Sequence, residues 1–263
     1  SVWSIMAINI GKTGSAGRFI GGGGGVFRNN QLMLFIDPFK YKAYTGETDT
    51  SFADLSGHGN DLININGTRT RTNGFWSFDG TDDFAYRADD SDFDYGTTLD
   101  FSIQMWYNNQ GGTSGDFYLL SKGNHTVSKS NPSVGWSLYY DTSESKLRLR
   151  LQETTGAGES PTTDHNWGAS GWQNLALVVD RSANIKFYAN GILVRTDAGS
   201  TTAQNASSTQ QLLVGGAQST DGASQVQGDF NGYMGQIMIY SQKLLTQDEI
   251  RQNFNQYRGI YNV

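Results

Sequence analysis

Several stretches of this chain alternate apolar and polar residues with a period of two, and few architectures accommodate that. Phe101, Ile103, Met105 and Tyr107 are interleaved with Ser102, Gln104, Trp106 and Asn108, and Leu147, Leu149 and Leu151 with Arg148, Arg150 and Gln152. Successive side chains of a strand point to opposite faces, so each such segment has one core face and needs a second layer to cover it. Leu32 to Ile36 is a short unbroken apolar run, as expected of a buried strand. Lys186 to Tyr188, Asn190-Gly191 and Ile192 to Arg195 read as a hairpin, because Asn-Gly accepts the two positive φ angles of a type I′ turn. The pattern predicts an all-β, antiparallel fold of two facing sheets.

Composition supplies the material for it. Aromatic residues make up 13% of the chain, enough for a thick core, and 33 glycines against 3 prolines suit many tight turns. One helix is signalled. Thr246 and Glu249 form a capping box, Ile250, Phe254 and Tyr257 fall on one face, and Gly259 stands where a C-terminal cap is expected. It follows the last strand, Met234 to Tyr240, and is expected to seal an edge of the sandwich.

No proline-rich or charged linker divides the chain, so residues 31–263 are read as one domain behind a Gly-rich N-terminal arm, residues 1–30. Gly21 to Gly25 form an unbroken run that costs much chain entropy to order. The arm's apolar start (Val2, Trp3, Ile5, Met6, Ile8 and Ile10) calls for a covering surface, on its own sandwich or on a neighbouring subunit. A homo-oligomer joined through the arm is the expectation. The net charge is −6 and the 19 Lys and Arg form no run, which argues against a nucleic-acid partner. Cysteine is absent, in keeping with assembly in a reducing cell. No stretch approaches the roughly 20 apolar residues that span a bilayer. Val2 to Ile10 lacks the basic start of a secretion signal.

Beyond periodicity, a series of local motifs resembles one family. Asp54-Leu55-Ser56-Gly57-His58-Gly59-Asn60, Phe78-Asp79-Gly80-Thr81-Asp82-Asp83-Phe84, the strand Phe101 to Tyr107 and the turn Ser121-Lys122-Gly123 are similar to segments of laminin-G-like, concanavalin A-like sandwiches. So are Trp172 through Val194 and Gly235 to Phe254, and the matches run in family order over about residues 31–259. The resemblance implies a two-sheet jelly roll. Leu32 to Asn60 and Asn253 to Tyr261 further resemble structural proteins of tailed bacteriophages.

The family includes lectins, glycoside hydrolases and scaffolds, so each chemistry is tested on the residues. A hydrolase needs two carboxylates about 5–9 Å apart, as in Glu-x-Asp-x(-x)-Glu on one strand. The five glutamates are Glu47, Glu144, Glu153, Glu159 and Glu249; Glu47-Thr48-Asp49 is followed by Ser51 and Phe52, and Glu249 belongs to the helix cap. The chain is therefore expected not to be an enzyme and to require no cofactor. His58, His125 and His165 lack metal-ligand spacing and read as structural or solvated. The resemblance allows a structural calcium at Asp79 or Asp82, although the last strand reads Met234-Gly235-Gln236-Ile237, without the acid some relatives offer, and Asp79 can equally brace its own turn.

A glycan site would combine aromatic platforms with planar polar groups on a wet sheet face. Strand parity puts Trp106, Tyr139, Arg148 and Arg150 on outer faces, and they form one such patch if their strands are neighbours. The functional expectation is a non-catalytic virion protein of a tailed phage (capsid decoration, neck or tail appendage) joined to itself or to other virion proteins by the arm. The alternative is a carbohydrate-binding module for host or polysaccharide attachment, either within the virion or in a secreted or bacterial cell-surface protein, and a glycoside hydrolase is third.

Overall fold

In the computed structural model the described residues are 30–39, 51–65, 68–70, 75–111, 115–124, 135–152, 165–197, 204–218, 226–227 and 229–263. Residues 1–29 of the arm, together with Glu47, Asp49, His125, Glu153 and Glu159, lie outside them.

Two antiparallel sheets face each other. The back sheet runs, in spatial order, β13 (Ile192–Asp197), β12 (Ile185–Ala189), β11 (Trp172–Val179), β7 (Phe101–Asn109), β17 (Asn231–Ser241), β5 (Phe75–Asp79) and β4 (Thr68–Thr70), with β1 (Leu32–Ile36) also paired to β17. The front sheet runs β10 (Lys146–Gln152), β9 (Gly135–Asp141), β8 (Phe117–Lys122), β14 (Leu212–Val214), β6 (Phe84–Arg87), β3 (Leu62–Ile65) and β2 (Ser51–Phe52). A short ribbon, β15 (Ala217–Gln218) with β16 (Val226–Gln227), follows β14.

The alternating segments do what their pattern dictates. Phe101, Ile103, Met105 and Tyr107 of β7 and Leu147, Leu149 and Leu151 of β10 point between the sheets with Trp76, Trp136, Leu175 and Ile237, forming one continuous core. Asn190 and Gly191 take φ of +49° and +78° and turn β12 into β13. The long strand β17 changes partners at a bulge: Asn231 to Met234 pair with β5, and Ile237 to Tyr240 with β1. Gly235 sits in that bulge because a Cβ there would lie 2.1 Å from the Tyr261 hydroxyl.

Helix α1 (Gln247–Tyr257) begins with the expected capping box, Thr246 and Glu249 each bonding the other's backbone. It buries Ile250, Phe254 and Tyr257. Rather than sealing an edge, it lies across the outer face of the back sheet, against Trp106, Ala176, Val178, Met238 and Tyr240. Arg258 is the C-cap and Gly259 follows directly, but the residue that turns left-handed is Asn262, at φ +57°. The turn that continues from the helix, with the Ile260 and Tyr261 amides donating to the Tyr257 carbonyl, sets Tyr261 against Trp106, ring centroids 4.6 Å apart. Among the described residues no helix is long and apolar enough to cross a membrane.

The turn Asp54–Asn60 is a structural staple. The Asp54 carboxylate accepts from the Phe35, Ser56 and Asn60 amides, and the Asn60 side chain donates to the Met33 carbonyl and Asp92. One carboxylate thus ties β1 to the entry of the front sheet. Lys122, fully buried, donates to Asp89 at 2.6 Å, to the Gln210 carbonyl at 2.7 Å and to the Ser208 carbonyl. A buried ammonium needs such an acceptor shell, so this lysine is a structural cation.

Candidate functional site

The four residues expected to share a patch divide between the two sheets. Tyr139 on β9 and Arg148 and Arg150 on β10 are neighbours on the outer face of the front sheet, Arg148 lying opposite Tyr139 in the register. Trp106 is on β7 of the back sheet, fully buried, with Phe254 stacked 5.5 Å away and Tyr261 at 4.6 Å. Parity put Trp106 on the correct face; the helix then covers it. Gln104, on that same face, is likewise consumed, donating to Asn174 and the Ile250 carbonyl and accepting from Asn253.

The front-sheet trio is locked into a buried polar stack. Arg150 donates to the Tyr139 hydroxyl at 2.9 Å and lies 4.8 Å above its ring, while Tyr139 stacks on Tyr118 at 5.1 Å. Arg148 pairs with Asp141 at 3.0 Å and with Glu144 at 2.6 Å. Tyr139, Arg148 and Arg150 are 1%, 6% and 2% exposed, so a ligand cannot reach them as they stand. Burial pushes the Tyr118 phenol up to about 12 although Arg150 pulls it down, which keeps it neutral and able to donate.

Asp79, Asp82 and Asp83 lie at one end of the sandwich in the turn from β5 to β6, each offering an oxygen within 4.8 Å of the others. The turn braces itself as expected of an Asx turn: Asp79 accepts from the Thr81 amide and Asp83 from the Asp79 amide. A fourth acid arrives from far along the chain. Asp229, just before β17, has a buried Oδ1 with no hydrogen-bond partner. Burial, reinforced by Asp82, Asp79 and Asp83, pushes its carboxyl up to about 6. Three clustered hard oxygen donors, with the orphaned Asp229 oxygen in their field, are of the type calcium takes, which needs six to eight oxygens in all. The calcium expectation named Asp79 or Asp82; the structure sets both beside Asp83, and Asp229, which the sequence reading did not single out, feels the field of all three. Asp229 precedes the last strand by two residues, whereas the acid was looked for within that strand, at Met234 to Ile237.

A second group was not anticipated. Phe75 on β5, Tyr233 on β17 and Trp172 on β11 all lie on the outer face of the back sheet, beyond the reach of α1, and remain partly exposed. Their ring centroids are 4.5 Å apart for Phe75–Tyr233, 5.5 Å for Phe75–Trp172 and 6.5 Å for Trp172–Tyr233. Tyr261 backs the group, 4.4 Å from Trp172, and Phe39, 43% exposed, meets its other edge. The register runs Ser77, Tyr233, Asn108, Trp172 in one row across four strands. Asn108 is positioned by accepting from the Gly171 amide and from the exposed Gln110 side chain. The readable signal was aromatic residues at outward parity, since Trp76, Met234 and Gln173 beside them point inward.

Of the other singled-out residues, Glu249 is engaged by the Thr246 cap and Lys243, which together hold its carboxyl below the usual range against the opposing effect of burial. His165 meets Gln173 at 3.0 Å and the edge of Trp167, and His58 lies 3.7 Å from Asp92.

No curated protein matches the sequence. Solved structures do match in fold. The binding domain of botulinum neurotoxin DC in complex with rat synaptotagmin II has a TM-score of 0.62 and 14% identity, over 87% of this chain and 52% of that one. Trypanosoma rangeli sialidase in complex with sialic acid scores 0.60 at 17% identity, over 92% of this chain and 35% of that one. The binding domain of Paraclostridial Mosquitocidal Protein 1 scores 0.59 at 14% identity, over 87% and 52%. The chain therefore spans about half the length of the toxin binding domains and about a third of the sialidase. The family model for the concanavalin A-like lectin/glucanases superfamily covers residues 78–251, well over half of the sequence. The lectin-like sandwich, its motif order and that coverage agree, and the chain belongs to this superfamily.

Proposed function

We propose that this chain is a non-catalytic recognition module that binds carbohydrate through the uncovered aromatic row of its back sheet. The observation that carries the reading is the partly exposed group Phe75, Tyr233 and Trp172 on three strands of one sheet, edged by Ser77, Asn108 and Gln110. Contiguous exposed rings rimmed by polar groups mark binding surfaces, and rings fixed by a sheet lose little entropy when a ligand stacks on them. Trypanosoma rangeli sialidase in complex with sialic acid, and botulinum neurotoxin type C, whose cell entry depends on two ganglioside molecules, share the fold. The non-catalytic part is supported by Glu249, engaged in the helix cap, and by Glu144, paired with Arg148. Screening against a panel of immobilised polysaccharides tests both parts: retention without release of reducing sugar is expected, while turnover of any of them, or retention by none, defeats the reading.

In this reading the module is carried on a tailed-phage virion, as a capsid decoration, neck or tail appendage. What supports it is the resemblance of Leu32 to Asn60 and Asn253 to Tyr261 to structural proteins of tailed phages; the two segments meet where the Tyr257 hydroxyl donates to Asp37 at 2.7 Å. The arm joins copies or neighbouring virion proteins, so deletion of residues 1–25 abolishes assembly and leaves the melting transition of the sandwich intact. A calcium held by Asp79, Asp82, Asp83 and Asp229 would cross-link the β5–β6 turn to the start of β17.

A further inference from the structure

We infer that the ligand of the aromatic row is an uncharged pyranose polysaccharide and not a sialylated glycan. The inference rests on the carbohydrate-binding reading and names the class of sugar. The site's polar neighbours are neutral: Ser77 and Asn108 share the row with Tyr233 and Trp172, and Gln110 donates to Asn108. A sugar presents C–H bonds on one face and hydroxyls at its edge, so rings meet the face and amides and hydroxyls meet the edge.

Among the described residues, the charge that strand register sets beside the row is of the wrong sign for a sialic acid. Asp79 has the same strand parity as Phe75 and Ser77, and lies two residues beyond Ser77, about 7 Å along β5. It leads into Asp82, Asp83 and Asp229. At roughly 7 Å the first of these carboxylates is within a Debye length, about 8 Å at physiological salt, of the row. A bound calcium would not invert the field, because four carboxylates outnumber its two positive charges. Among the described residues, Arg148 and Arg150 are buried on the other sheet, and Arg258 lies over Phe254, at the helix-covered end of the ring ladder. Among the described residues, the front-sheet stack thus combines aromatic rings with cations where a ligand cannot reach, and the row Ser77, Tyr233, Asn108, Trp172 of the back sheet carries no cation. That division selects a neutral ligand.

The test compares the wild-type chain with Trp172→Ala and Tyr233→Ala on an array holding neutral glucan, galactan and mannan oligosaccharides beside sialyllactose. It is run in calcium and in chelator, with the melting transition of each protein recorded. Binding to at least one neutral series is expected, weakened roughly tenfold or more by Trp172→Ala at a nearly unchanged melting temperature. Sialyllactose binding that Trp172→Ala removes overturns the neutral class and leaves the carbohydrate-binding reading standing. Neutral binding that both substitutions leave unchanged overturns the site. Silence of every sugar under both conditions overturns the inference together with the reading it rests on.

Discussion

Trp106 and Trp172 stand on adjacent strands, on the same face of the same sheet, and each touches Tyr261, at 4.6 and 4.4 Å. Trp106 is sealed between the sheet and the C-terminal helix, and Trp172 remains open at the helix's margin. Strand periodicity treats them identically, because it fixes which side of a sheet a residue faces and nothing about what covers that side. The cover is supplied almost 150 residues later by Phe254 and Tyr261. One tryptophan is therefore part of the fold's second, smaller core, and the other is surface on which binding can be built at little cost to stability.

Truncating both rings separates the two roles most sharply. Trp106→Ala removes a fully buried indole from between Phe254 and Tyr261 and is expected to cost about 3–5 kcal/mol. For a domain of this size that lowers the melting temperature by roughly 10 °C. Trp172→Ala is expected to cost less than about 1.5 kcal/mol. Equal losses in a thermal or denaturant melt would erase the distinction between covered and open halves.

A second contrast sets the front sheet against the open end of the back sheet. Arg148 was read as a binding residue, yet it neutralises Asp141, itself fully buried. Arg148→Ala leaves that carboxylate without its guanidinium and is expected to destabilise by about 3 kcal/mol, because a stranded buried charge costs more than the pair contributes. Binding of any glycan, normalised to folded protein, should be unchanged. Loss of affinity without loss of stability would return Arg148 to the binding surface.

The difference between what could be read and what could not follows the same line. The alternation at Phe101–Asn108 and Leu147–Gln152, the Asn190–Gly191 turn and the Thr246 cap are local, set by residues within a few positions of one another, and each forms as its pattern dictates. Asp79 and Asp82 were singled out through the resemblance of the Phe78–Phe84 segment to the family, and as neighbours in one turn they lie together. Asp229 was not, since nothing near it in sequence announces that β17 will run beside β5. Phe75, Trp172 and Tyr233 come from three segments that only the strand order brings together. Tyr139, Arg148 and Arg150 share a sheet face as their parity allows, but the strand of Trp106 lies in the opposite sheet, a matter of topology that side-chain period does not encode.

Loosening the cover is a gentler way to probe the first comparison. Thr246→Ala removes the hydroxyl that receives the Glu249 amide and releases half of the capping box. A cost of about 1 kcal/mol is expected, concentrated in the helix. Hydrogen exchange should quicken at Ile250 and Phe254 and at Trp106 beneath them, and stay unaltered at Leu147 to Leu151 in the front sheet. Uniform acceleration would mean that helix and sandwich open as one unit.

The smallest expected effect changes sign with conditions, which makes it diagnostic of the acidic end. The Asp229 carboxyl is raised to about 6 by burial and by Asp82, Asp79 and Asp83, so the folded chain holds this proton more tightly than the unfolded one. Its contribution to stability is complete below the unfolded value near 4 and is lost as pH climbs through about 6. In chelator at neutral pH, Asp229→Asn should therefore stabilise the protein, by about 1 kcal/mol once solvent screening of this partly exposed group is allowed for. In millimolar calcium the order should invert, because the wild type gains a ligand oxygen that the amide supplies only weakly and binding adds to folding stability by mass action. Melting curves of the two proteins that cross between chelator and calcium would assign the four carboxylates to a cation; parallel curves would leave them as a turn whose acids repel one another, and Asp229→Asn as a simple relief of that repulsion.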